Sequence, residues 1–344
     1  MGQSSAVGVE LPAVLERDGV HLPPWIGQLD EIAGHEEAAP AAVGDPVRLR
    51  GRGHGRNATV AGMATPFPAS LSPSRASDFT QCPLLFRFRS IDRLPEEPSA
   101  AAVRGTLVHR ALETLFDLPA ESRTIDAAAG LVERAFEEME QEDPASADTM
   151  RSGPDGSVAI DAAPLLTTYF AMEDPTRLEP HAREVGVSAQ LEESFEVRGF
   201  IDRVDRSPAG EIRIVDYKTG RSPGAGYESK AMFQMRFYAL AWWRMTREVP
   251  RRLQLMYLGN GEVLRYEPDE DDLLSTERKV LALRDAIARA ADAEAFTPSP
   301  SRLCDWCSHR PLCPAWDGTP PPLPERSTWP VTSSRLPVDP GLQG

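Results

Sequence analysis

Basic charge is what this 344-residue chain has least of: 37 Lys and Arg stand against 52 Asp and Glu, a net charge of −15. A broad electropositive coat for nucleic acid is excluded, so any attraction for phosphate must be local. No run approaches the roughly 18 apolar residues of a membrane span, and the first residues lack a basic stretch followed by an apolar core. A cytoplasmic chain without membrane attachment is the expectation. Cysteine is scarce, with 4 in the whole chain, which argues against a disulfide scaffold. No G-x4-G-K-[ST] phosphate loop occurs, which excludes an ATP-driven motor of the phosphate-loop type.

The hydrophobic share of 41% and charged share of 26% suit one large domain or two modest ones. Apolar periodicity is confined to the middle. Residues 1–70 mix Ala, Pro, Gly and His without a sustained pattern, and residues 317–344 are dense in proline. Both read as flexible tails around a folded region, 71–316.

Three cysteines crowd "CDWCSHRPLC", as Cys304, Cys307 and Cys313, and the fourth, Cys82, lies far upstream. In a cytosolic chain a Cys-x2-Cys-x5-Cys run points to thiolates holding a metal or cluster. Zinc ribbons usually draw on two nearby Cys-x2-Cys pairs, so a distant fourth thiolate favours a [4Fe–4S] cluster over zinc. Trp306 is expected to shield it, and His309 reads as a solvated loop residue. Such a clasp would pin the C-terminal segment to the start of the folded region.

The stretch "GFIDRVDRSPAGEIRIVDYKTG" reads as a β-hairpin, with strands over Gly199–Val204 and Glu211–Tyr217 and a turn at Ser207–Gly210. Asp202 and Asp216 then sit on adjacent strands. A carboxylate in a β-branched run costs desolvation unless paired or bound to a cation, so two of them beside Lys218 suggest a hard-metal site. Surface ion pairing with Arg203 or Arg213 is the plainer alternative.

Around the hairpin, helices are predicted from Arg104, over 125–142, 160–173 and 230–245, and from 271 to 294, with strands near 185–191 and 253–259. His109 shares a face with Leu112, Glu113 and Phe116, where it could reach a metal or simply belong to the core. Gln234 and Tyr238 lie one turn apart on the aromatic-rich helix. Arg87, Arg89 and Arg93 in "CPLLFRFRSIDRL" form a basic patch beside aromatic residues, a weak nucleic-acid signal.

Taken in order, "CPLLFRF", "RGTLVHRALE", "GFIDRVD", "VDYKTG", "QMRFY" and "CDWCSHRPLC" resemble the RecB-like branch of the PD-(D/E)xK nucleases, especially its iron–sulfur members such as the CRISPR-adaptation nucleases and the AddB nuclease domain. The resemblance implies an α/β fold: a restriction-endonuclease-like core, with a mixed sheet flanked by helices, plus an iron–sulfur clasp. It implies Mg2+ or Mn2+ held by His109, Asp202, Asp216 and the Tyr217 carbonyl, with Lys218 beside the attacking water and Gln234 and Tyr238 in the Q-x3-Y element. Cys82, Cys304, Cys307 and Cys313 would hold the cluster, and Arg87 and Arg89 would meet DNA. The activity implied is metal-dependent DNA exonuclease action on single strands or ends. A non-catalytic DNA-binding scaffold and a zinc-stapled protein of unrelated function are the rivals.

Overall fold

The computed structural model describes residues 67–151, 160–224 and 228–329. Its centre is the hairpin read from the sequence. Phe195–Arg206 (β3) and Ile212–Lys218 (β4) pair antiparallel inside a six-stranded mixed sheet. β3 also pairs antiparallel with Ala182–Glu192 (β2) and parallel with the short Ser70–Leu71 (β1). β4 continues through a parallel pairing to Arg252–Tyr257 (β5), and β5 pairs antiparallel with Glu262–Tyr266 (β6). β1 and β6 are absent from the sequence reading. One is two residues long, and the other is half-exposed and polar enough to hide its alternation.

The helices form where local chemistry starts them. Ser72 accepts from the Arg75 N–H and caps Pro73–Gln81 (α1), whose first residue is a proline with no amide hydrogen to lose. Ser99 caps Ala100–Leu115 (α2), so this helix begins one turn before Arg104. Thr124 caps Ile125–Glu142 (α3). Ala163–Met172 (α4) and Glu228–Thr246 (α5) follow, and Asp269 with Asp272 forms a capping box for Glu270–Asp292 (α6).

Period-two alternation sends β4 to two different cores. Val215 and Tyr217 face the cluster built from α2, α3 and α4, together with Met256 and Leu258. The residues between them, Asp216 and Lys218, face α5 instead. A buried residue on one side of β4 thus alternates with a chemical group on the other.

The boundary expected at 316 falls too early. Trp329 is buried, its ring lies 5.0 Å from Phe67 and 6.2 Å from Phe296, and its indole N–H donates to the Pro324 carbonyl. Proline has fixed the path of this segment without freeing it, because an aromatic anchor follows. Phe67 is likewise packed, four residues before the expected start. Of the tails read at 1–70 and 317–344, residues 1–66 and 330–344 lie outside the described residues.

Candidate active site

β3 pairs along one edge with β2 from Phe195 to Val204, with Asp202 skipped, while the other edge is shared. β1 takes Glu196 and Val197, and β4 takes Arg203 to Arg206. Between them, from Arg198 to Asp202, no strand pairs with that edge among the described residues. The β3–β4 ladder therefore ends at Arg203 and Val215, one residue short of the two aspartates. Asp202 Oδ2 accepts the Tyr217 N–H at 2.7 Å, doing with a side chain what the ladder has stopped doing. The strands fork, and the fork is the site.

Into it α5 delivers Gln234, whose amide reads both catalytic-type neighbours: Nε2 donates to Asp216 Oδ1 at 3.0 Å, and Oε1 accepts from Lys218 Nζ at 3.0 Å. Lys218 Nζ also lies 2.6 Å from Asp216 Oδ2, but off the direction of a regular hydrogen bond. Tyr238, one turn along α5, stands 3.0 Å from Gln234 Nε2, and its phenol is pushed up by burial. From the opposite side α2 brings His109, with Nδ1 3.4 Å from Asp202 Oδ2 and its ring edge-on to Tyr217. Gly105 permits that approach. A Cβ there would lie 3.2 Å from Thr219 Oγ1, and His109 is one turn further on the same face.

A fourth ligand candidate, Glu184, escaped the sequence reading. The flanking pairs Arg183 with Arg203 and Val185 with Ile201 set Glu184 opposite Asp202, and atoms of His109, Glu184 and Asp202 lie within 4.8 Å of one another. Its φ of 43° is left-handed, a conformation that costs a non-glycine residue energy inside a strand. The available signal was a glutamate one residue before the run "VGVSAQL", but at a strand end that looks like ordinary solvation.

Like charges opposed across strands destabilise unless something positive intervenes. Burial first, then Asp202 and Glu113, push the Glu184 carboxyl up to about 7. Burial and then Asp202 push Asp216 to about 6, against the pull of Lys218. For His109 burial opposes the charged form, but the Asp202 hydrogen bond and surrounding carboxylates outweigh it and raise the imidazole. Oxygen ligands with one imidazole, crowded enough to hold protons at neutral pH, fit a hard divalent cation.

This crowding has a measurable sign. Carboxyls raised on folding contribute stability that is present below their unfolded values, near 4, and lost as pH climbs through about 6 for Asp216 and 7 for Glu184. His109, also raised, adds in the same direction. In EDTA the thermal midpoint should therefore fall between pH 5 and 8, and saturating Ca2+ should restore it at pH 8 much more than at pH 5. A flat midpoint in EDTA, or a Ca2+ effect independent of pH, would refute the crowding.

Arg203, the plainer partner considered for the aspartates, points away from them. It is buried on the far face, where its guanidinium donates to both oxygens of Glu173 at 2.8 and 2.9 Å and to Tyr217 Oη at 2.5 Å, beside Asp205. It therefore spans from β3 to a β4 side chain just where the backbone ladder stops. Arg213 joins the same acids.

All four cysteines are free and half-buried, and they line one cavity with Phe88, His309 and Trp316. The Ser299 N–H donates to Cys82 Sγ at 3.4 Å, and the Ser301 N–H to Cys304 Sγ at 3.3 Å. Burial raises the Cys307 thiol, with the His309 amide pulling against it. Sulfurs around one zinc stand about 3.8 Å apart, given bonds of about 2.3 Å. Among the described residues no three cysteine sulfurs come within 4.8 Å of one another.

Three expectations near the clasp need correction. His309 is not solvated: it is buried, with Nε2 2.7 Å from Glu96 and its ring against Phe88. Trp306 shields nothing, being 78% exposed. Arg87 and Arg89 do not form a free basic patch. Arg87 is buried between Asp92 and the Pro321 carbonyl, and Arg89 is held by Asp78 and Glu96 at 2.6 and 2.7 Å. Their charge is spent inside the fold, because an acidic chain supplies a carboxylate wherever an arginine packs.

The sequence is 28% identical over 192 residues to the Gene 69 protein of Mycobacterium phage D29, covering 49% of this chain and 67% of that one. Among solved structures, a "Putative exonuclease" from Eubacterium rectale is 13% identical over 74% of this chain and 94% of its own, with a TM-score of 0.46. The protein SSO0001 is 12% identical over 84% and 93%, with a TM-score of 0.36. Neither structural likeness is close enough to carry an argument. The family model does: it runs unbroken over residues 70–314, from β1 past the last cysteine, and by that match this chain belongs to the PD-(D/E)XK nuclease superfamily.

Proposed function

We propose that the chain is a metal-dependent DNA exonuclease of the repair or recombination type, acting on single strands or ends. The observation that carries this reading is the fork, where one glutamine joins Asp216 to Lys218 and Asp202 accepts the Tyr217 N–H beside them. A binding module has no use for a lysine and two aspartates crowded at such cost. Mg2+ or Mn2+ would be held by His109, Asp202, Asp216 and the Tyr217 carbonyl, with Glu184 within reach, and would supply Lewis acidity and a water of lowered pKa. Lys218 directs that water and offsets charge growing on the scissile phosphate. Gln234 keeps the ammonium aimed by holding it and Asp216 at once, and Tyr238 steadies the glutamine. DNA is the partner, with a separate helicase or repair protein to open duplexes.

The cysteine cavity is assigned to a [4Fe–4S] cluster. Four thiols lining one cavity, with backbone N–H donors to two of the sulfurs, support this reading. The reading is tested with end-labelled linear DNA and covalently closed single-stranded circles, with Mg2+ or Mn2+ against EDTA. Linear strands should shorten from an end only with metal, and circles should survive. Circles cut as fast as linear strands would replace exonuclease with endonuclease, and absence of metal-dependent hydrolysis on either would end the nuclease reading for this chain.

A further inference from the structure

The unpaired edge of β3 does not face empty solvent. It opens into a groove running from the start of α1, past Arg198 and Phe200, to Gln234 and Tyr238 at the fork. Phe200 is 46% exposed there, a large aromatic left uncovered on a central strand. Arg198 and Phe200 both line this groove, and Asp202 follows two residues further along β3, about 6.6 Å on, at the fork. Gly199 between them is needed for the groove's wall: a Cβ would stand 2.7 Å from the Tyr238 ring.

Arg198 lines the same groove and brings a cation to it. The hydroxyls of Ser72 and Ser74 stand exposed 3.0 Å apart at the α1 end. A stacking surface, a cation and hydroxyl donors, leading to Gln234 and Tyr238 at the fork, match one ligand chemistry: the bases and phosphates of a single nucleic-acid strand.

We infer that this groove holds the strand being cut, with a base stacked on Phe200 and the adjoining phosphate at Arg198 and the α1 serines, so that the next phosphodiester reaches Asp202 and Asp216. This deepens the nuclease reading and rests on it. An aromatic placed one alternation from the metal ligand would set how many nucleotides lie between the last stacked base and the cut. It would also make single strands preferred, since a paired base has no free face to offer.

The test measures binding of a short fluorescent oligothymidylate in Ca2+ by anisotropy. Phe200→Ala should weaken binding about 10-fold, within the usual worth of one stacked base, and Phe200→Trp should keep it. Arg198→Ala should weaken binding and lower the salt slope by about 1. An oligonucleotide with abasic sites should bind wild type and Phe200→Ala alike. Ca2+ affinity and thermal midpoint should be the same in Phe200→Ala and wild type, which separates strand binding from a damaged fork. If wild type cleaves DNA but Phe200→Ala binds and cleaves as well as it does, the strand runs elsewhere and the inference fails alone. If wild type neither binds nor hydrolyses DNA with any divalent metal, the nuclease reading fails and takes the groove with it.

Discussion

Lys218→Ala should lower metal-dependent DNA hydrolysis by about 10³-fold while leaving a folded protein that still binds Ca2+. Removing one preorganised group that stabilises developing charge typically costs 10² to 10³ in rate, and here the ammonium also has the water to direct. Lys218 is half-buried rather than core, and its two contacts, Asp216 and Gln234, also hold each other. Loss of the ammonium therefore leaves no orphaned strand. Asp216→Asn should be at least as damaging to rate, but by another route: it replaces a charged carboxylate by a neutral amide, so Ca2+ affinity should fall with activity. It should also flatten the pH dependence of the metal-free midpoint near 6, because the raised carboxyl is gone. The pair of outcomes is diagnostic. A Lys218→Ala protein that cuts as fast as wild type would mean that cleavage comes from a contaminant or from another site.

Cys82→Ser should undo the protein's C-terminal segment more than its fork, with a midpoint lower by about 10 °C or more and loss of the broad absorption near about 400 nm. Cys82 caps the end of α1 and sits beside Ser299, 217 positions away in sequence, so whatever the thiolates bind closes a very long loop. Binding free energy at such a site is folding free energy. The segment that would come free includes Cys313, the Pro321 carbonyl that holds Arg87, and Trp329, whose ring closes over Phe67 and Phe296. Arg87 would then be left buried beside Asp92 with one partner fewer. Anaerobically purified wild type that is colourless and loaded with zinc would replace the cluster by zinc. Cys82→Ser with unchanged colour and midpoint would remove Cys82 from the ligand set.

Sequence periodicity carried the central architecture well. The Val and Ile alternation on both sides of Ser207–Gly210 could not sit as anything but a hairpin, and Asp202, Asp216 and Lys218 were conspicuous because charge is costly in such runs. Helices 125–142 and 230–245 were legible from their apolar spacing, and their observed ends, Ile125–Glu142 and Glu228–Thr246, differ by at most two residues. The residue types were legible too: carboxylates at one place and thiols at another, the two sets proposed to hold different classes of metal.

Only the tertiary structure decided which charges gather at the fork. Arg203 and Asp202 are neighbours in sequence, yet alternation sends one into a buried brace and the other into the fork. Glu184 was silent because its importance comes from lying opposite Asp202, 18 positions away, and a one-dimensional pattern carries no record of cross-strand register. Arg87 and Arg89 looked available for DNA because Asp92 is the one acid in their segment; Asp78, Glu96 and Pro321 reach them only after folding. Phe200 looked like one more core residue in a β-branched run. It is exposed because β1 and β4 share an edge of β3 and neither covers its middle, and that gap is set by how three strands meet, which no single segment encodes.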